Sequence, residues 1–114
     1  MTDCLFCRIA RGELPATILY EDDQAVAFED IRPQAPVHVL VIPRKHLTNL
    51  LAVGPEDEAL VGHLLRVASQ IARDKGVAES GFRVTVNINR DAGQSVDHLH
   101  FHLLGGRRLG WPPG

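Results

Sequence analysis

Apolar and polar positions alternate with different periods along this chain, and the changes of period divide it into elements. Residues 4–10 place Leu5, Phe6 and Ile9 at helical spacing ahead of Gly12, which predicts a short helix with a glycine stop. Residues 17–21 and 25–29 are β-branched, aromatic or apolar runs on either side of Asp22-Asp23, the pattern of two strands joined by a hairpin turn. After a loop carrying Pro33 and Pro36, residues 37–42 alternate as a third strand that bears His38 and stops at Pro43. Gly54-Pro55-Glu56-Asp57-Glu58 then opens a long helix, with proline early and acids where the helix dipole favours them. Leu60, Val61, Leu64, Ala68, Ile71 and Ala72 form its apolar stripe, and Lys75-Gly76 closes it. His63 lies off that stripe and reads as a helix residue without chemistry. Residues 82–87 and 97–104 are the last two strands, joined by a polar segment from Asn89 to Ser95.

Helix, strands, helix, strands, with hairpins between neighbours, predicts an α+β fold built on a mainly antiparallel five-stranded sheet with one long and one short helix. No repeat or linker interrupts the pattern, so residues 1–114 are expected to form a single domain. Composition narrows the function. A hydrophobic fraction of 45% beside 23% charged residues is that of an ordinary globular chain. The net charge of −2 argues against a general nucleic-acid binder, which needs a basic face, but leaves a small anionic ligand open. No run approaches the roughly 20 apolar residues that cross a bilayer. The N-terminus shows no apolar leader core, and Cys4 and Cys7 are too close together to read as a secreted disulfide framework, so a cytoplasmic location is expected.

The chemistry concentrates in the last strand. His98, His100 and His102 alternate with Leu99, Phe101 and Leu103, so an extended chain puts three imidazoles on one face. One ion shared by all three is disfavoured, because at about 3.3 Å per residue His98 and His102 are about 13 Å apart. Division of labour remains: one imidazole attacks, and a neighbour holds an anion or moves protons. Phosphorus suits such an attack, since a neutral nitrogen approaches an anionic phosphate without adding negative charge. Just upstream, Gly93, Gln94 and Ser95 form either a plain hairpin connection or a turn whose donors face phosphate oxygens, and beside the histidine row the second is expected.

The run from His98 to Leu104 resembles the signature of the histidine-triad, or HIT, family of nucleotide-binding hydrolases and transferases. Gly93-Gln94-Ser95-Val96, Leu103-Leu104-Gly105-Gly106-Arg107 and the closing Trp111-Pro112-Pro113-Gly114 resemble its Hint branch. Phe28-Glu29-Asp30-Ile31, the stretch from Pro33 to His38, and Val41-Ile42-Pro43-Arg44-Lys45-His46-Leu47 extend the likeness over nearly the whole chain. The resemblance implies a HIT fold, with sheets joined across a homodimer. It also implies hydrolysis of adenosine or guanosine 5′-phosphoramidates to a nucleoside monophosphate and an amine, through a nucleotidyl-histidine and without a catalytic metal.

By the same resemblance His100 is the nucleophile, His102 meets the phosphate and leaving group, His98 braces the strand and His38 stands beside the site. Ser95 and Asn87 match phosphate and leaving-group contacts, and Asp30 matches the acceptor for the ribose hydroxyls. Leu5, Phe6, Ile9, Phe28 and Ile31 match the apolar walls of a purine slot. Trp111 would lie near the partner subunit's site and help choose the leaving group. Cys4 and Cys7 with His46 and His98 make the Cys₂His₂ set of a structural zinc site, which some bacterial family members hold at matching positions. Asp97 departs from the family's usual aromatic or apolar residue, and alternation turns it away from the histidines. The alternatives are a dinucleoside polyphosphate hydrolase of the Fhit type, a nucleotide-binding or partner-binding module with vestigial catalysis, and a pure zinc protein.

Overall fold

The structure is a computed structural model that describes residues 4–114. Residues 1–3, read above for the lack of a leader, lie outside the described residues. Along the chain run α1 (Leu5–Ala10), β1 (Ile18–Glu21), β2 (Ala25–Glu29), β3 (Val37–Pro43), α2 (Glu58–Asp74), β4 (Phe82–Val86) and β5 (Phe101–Gly105). The strands form one antiparallel sheet in the order β1-β2-β3-β5-β4, so the last strand enters between the third and fourth. That insertion places the histidine segment near the middle of the sheet rather than at its edge.

Alternation along the strands divides the sheet into two faces. Ala25, Ala27, Val39, Val41, Phe101 and Leu103 point to one side and are covered by Leu64, Val67, Ala68, Ile71 and Ala72 of α2. Val26, Phe28, Leu40 and Ile42 point to the other, where α1 covers them through Phe6, with Ala16 and Val96 packed beside it. A six-residue helix cannot cover five strands. The second face is therefore left partly open, and the open part holds His38, His100 and His102.

Element ends differ from the sequence expectation in informative ways. The hairpin between β1 and β2 is wider than Asp22-Asp23: Asp22 pairs its amide with the Ala25 carbonyl, and its carboxylate accepts from the amides of Gln24 and Ala25. The long helix is preceded by a separate 3₁₀ turn, Pro55–Asp57, and α2 itself starts at Glu58. The last strand was expected over residues 97–104 but begins only at Phe101. Pairing between β3 and β5 ends at Val41 opposite Phe101, two residues before Pro43, which has no N–H to give a ladder. The free carbonyl of Pro43 instead accepts from the His98 ring at 2.8 Å, and the amide of Leu99 is taken by the Leu47 carbonyl. The segment still alternates. Leu99 lies in the helix-side core, and His98 and His100 face the open side.

Candidate active site

Hydrogen bonds to backbone groups and between two of the rings fix the protons of three histidines in defined places. The amide of Gln34 donates to His38 Nδ1 at 2.9 Å, so in neutral His38 the proton resides on Nε2. That Nε2 lies 2.9 Å from His102 Nδ1 and 3.4 Å from an Asp30 carboxylate oxygen. His102 accepts there and keeps its own proton on Nε2, which is turned away from His38. His100 is oriented separately: its Nδ1 donates to the His98 carbonyl at 2.7 Å, leaving Nε2 with a bare lone pair. The rings of His100 and His102 are 5.1 Å apart between centroids, so an imidazole with a bare nitrogen neighbours one that carries an N–H.

The surroundings favour the neutral forms. Burial, joined by the neighbouring His100 and His38, pulls His102 down from the usual 6.5 to about 4. Burial also lowers His38, with the Asp30 carboxylate opposing it. Phe6 sets its ring edge against both His98 and His100, at 6.0 and 5.1 Å between centroids, which fixes the rings from the α1 side.

His100 and His102 open on a cavity of about 610 Å³ between α1 and the sheet. Leu5, Phe6, Ile9, Phe28 and Ile31, the residues the resemblance assigns to a purine slot, line it, with Glu29, Asp30, Arg32, Ser95, His100 and His102 as its polar members. Ile31 stands at the mouth, 91% exposed. Leu14, Pro15 and Leu40 also line it, and nothing in their spacing marked them. Asn87 is elsewhere: it lines a second cavity of about 450 Å³ with Gln34, His38 and Arg83, and His102 is the one residue common to both. Trp111 lines neither cavity and is 82% exposed.

The loop before the triad is built by side chains expected to serve a ligand. Gln94 donates to the carbonyls of Thr48 and Val96 and accepts from the amide of Asn89 and the side chain of Asn49. Its amide group is thus spent on protein partners, and of the three loop residues Ser95 is the one that lines the cavity. Gly93 turns the chain at φ 80°, a conformation that favours glycine, and Asn89 holds φ 67° against the same brace. Asp97 is exposed. His63, read as chemically idle, has a partner: its Nε2 lies 2.6 Å from the Asp22 carboxylate, which also accepts from Tyr20. Burial works against that carboxylate, but these hydrogen bonds outweigh it and hold Asp22 below the usual range. The cluster ties α2 to the β1–β2 hairpin, remote from the histidine row.

Behind the triad, Cys4, Cys7, His46 and His98 bring four ligand atoms within 4.8 Å of one another, a group that could hold a metal ion. Separations of 3.1 Å between the two Nδ1 atoms and 3.3 to 3.5 Å between nitrogen and sulfur match a tetrahedron around zinc, whose edges are about 3.3 and 3.5 Å. His98 also meets the ligand requirement. Burial keeps it neutral, and its Nε2–H is committed to Pro43, so Nδ1 presents a lone pair to the cluster. Burial, then the Cys4 thiol beside it, pushes the Cys7 thiol up, a proton that a bound cation would displace.

This architecture has close counterparts. An uncharacterized HIT-like protein of Synechocystis is 54% identical over 112 residues, 98% of this chain and 97% of that protein. The crystal structure of a HIT family hydrolase from Legionella pneumophila superposes with a TM-score of 0.96 at 49% identity, covering 98% of this chain and all of the other. A histidine triad protein from Clostridium difficile gives 0.93 at 45% identity over 96% of each chain. The profile of the HIT domain matches residues 11–109, and the chain belongs to that family.

Proposed function

We propose that this protein is a nucleotide hydrolase that cleaves purine nucleoside 5′-phosphoramidates into a nucleoside monophosphate and an amine. One observation carries the reading: the hydrogen bond from His100 Nδ1 to the His98 carbonyl leaves a bare Nε2 on a ring whose centroid is 5.1 Å from that of His102, at the wall of a mainly apolar cavity. The neighbouring Legionella protein, described as a hydrolase, is in keeping with it. Leu5, Phe6, Ile9, Phe28 and Ile31 provide flat apolar walls for a purine, Asp30 accepts from ribose hydroxyls, and Ser95 donates to the phosphate.

In the complex the substrate's phosphate anion offsets the burial of His102, which then carries an extra proton. His100 Nε2 attacks phosphorus, the P–N bond breaks, and the departing nitrogen takes that proton from His102. Water next attacks the nucleotidyl-histidine. Its proton returns to His102, the bond to His100 Nε2 breaks, and the monophosphate is released. No metal enters this sequence. Cys4, Cys7, His46 and His98 hold a structural zinc, and His98 thereby braces the strand segment from which His100 projects. As in the resemblance, the working unit is a homodimer, with Trp111 near the partner subunit's site and Asn87 on the leaving-group side.

The test is turnover of adenosine 5′-phosphoramidate, followed by chromatography of AMP, with mass spectrometry of quenched enzyme. The expected result is a nucleotidyl adduct on His100 and loss of at least a thousandfold in turnover for His100→Ala. An adduct on His102 or His38, or unimpaired His100→Ala, would refute the assignment.

A further inference from the structure

Among the described residues His102 is the only one shared by the two cavities, and their linings differ in charge. The larger is mainly apolar and contains Glu29, Asp30 and one cation, Arg32, so its carboxylates outnumber its guanidinium. The smaller, on the far side of His102, contains Arg83 and Arg107 and, among the described residues, no carboxylate. Both guanidiniums are held by neutral backbone oxygens: Arg83 donates to the Gly110 carbonyl at 2.9 Å, and Arg107 donates to the Gln34 carbonyl through two nitrogens at 3.1 and 3.0 Å. Among the described residues neither has a salt-bridge partner, whereas Arg8, Arg11, Arg44 and Arg90 each have one. Their positions are therefore fixed while their charges stay uncompensated. Gln34 links one of them to the reacting groups, since its carbonyl holds Arg107 and its amide sets the tautomer of His38.

In the reaction proposed above, the bond that breaks lies between a nucleotide seated in the larger cavity and an amine on the other side of His102. The amine must occupy the smaller cavity. We infer that Arg83 and Arg107 select leaving amines that carry an anionic group, and that N-linked amino acids with a free carboxylate are favoured over neutral or cationic amines. A carboxylate there meets two preplaced cations in a partly enclosed site, and a cationic amine meets repulsion. Thr85, Asn87 and Gln34 add neutral polar neighbours without altering that sign.

This inference rests on the phosphoramidate reading, and the test keeps the two separable. kcat/KM is measured for adenosine 5′-phosphoramidates of glycine, glycinamide and 1,2-diaminoethane at pH 7.5. The expected order is glycine, glycinamide, diamine, with glycine about tenfold ahead of glycinamide, the combined effect of two partly exposed ion pairs of roughly threefold to fivefold each. In Arg83→Gln and in Arg107→Gln the glycine-to-glycinamide ratio falls toward one, whatever the absolute rates. Arg83→Lys retains part of it. The ratio is an internal control, since a misfolded variant loses both substrates together. Turnover of glycinamide equal to or faster than glycine in the natural protein, or a ratio unmoved in both glutamine variants, overturns the selectivity while leaving the hydrolase reading intact. Failure of all three substrates overturns the hydrolase reading itself.

Discussion

At the scale of single residues, the histidine row shows how far spacing can be read. Alternation correctly placed His98, His100 and His102 on one side and Leu99, Phe101 and Leu103 in the core, because side-chain direction follows from an extended backbone alone. What no spacing discloses is the protonation pattern, which depends on Gln34, on the carbonyl of His98 and on the carbonyl of Pro43. Gln94 is the opposite case. Its residue type suggested a phosphate donor, and its contacts make it the brace of its own loop. The lowered His102 has a measurable consequence. Its folded pKa of about 4 lies below the usual 6.5, so between those values the unfolded chain binds a proton that the folded one does not. Stability should therefore fall as pH drops through that window, by up to about 1.4 kcal/mol per pH unit for this one proton. Urea melts of the natural protein and of His102→Gln between pH 7 and 4.5 should converge on acidification, because the variant lacks this penalty. Parallel pH profiles would show that His102 is not depressed.

At the scale of elements, α1 is too short to persist by itself, since isolated helices below about 12 residues are marginal in water. It is held at its first turn, where Cys4 caps the helix by accepting from the Cys7 amide, and Cys4 and Cys7 both meet His98. The same six residues contribute Leu5, Phe6 and Ile9 to the larger cavity. Emptying the Cys₂His₂ cluster with a chelator, or replacing Cys7 by serine, should therefore weaken AMP binding by about tenfold. Far-ultraviolet dichroism from α2 and the sheet should change little. Titration calorimetry on protein of measured zinc content decides the matter. Unchanged affinity in demonstrably metal-free protein would show that α1 stays seated without the cluster. The sequence predicted this helix and its stop, but the pairing of Cys4 and Cys7 with residues 46 and 98 came only from family resemblance, because contacts so distant in sequence leave no local periodicity.

At the scale of the whole molecule, the order β1-β2-β3-β5-β4 leaves β4 at one edge, pairing with β5 alone among the described residues. An open edge flanked by half-buried Phe82, Val84 and Val86 invites strand pairing with a second chain. His63 leans toward the β1 side through Asp22, so Leu65, about 200° further round the helix, leans toward the β4 side, where it is 42% exposed. Sedimentation should give twice the 12.5 kDa of one chain, and Leu65→Arg should shift the mass toward the monomer at micromolar concentration. A natural protein that sediments as a monomer under those conditions would exclude the dimer. The class of fold was legible because strand and helix periods are local. The entry of β5 between β3 and β4, which centres the histidines, was not, since the chain carries no local mark of which strands become neighbours.

The junction at His102 also governs the order of events. In the proposed reaction, nucleotide and amine lie on opposite sides of one imidazole, so the amine would depart while the nucleotide is still joined to His100, and the vacated space would then admit whatever comes next. Water completes a hydrolysis, but a second amine of suitable charge arriving first would receive the nucleotide instead. The proposed mechanism thus predicts ping-pong kinetics and amine exchange, with the ratio of hydrolysis to transfer set by solution composition rather than by any further residue.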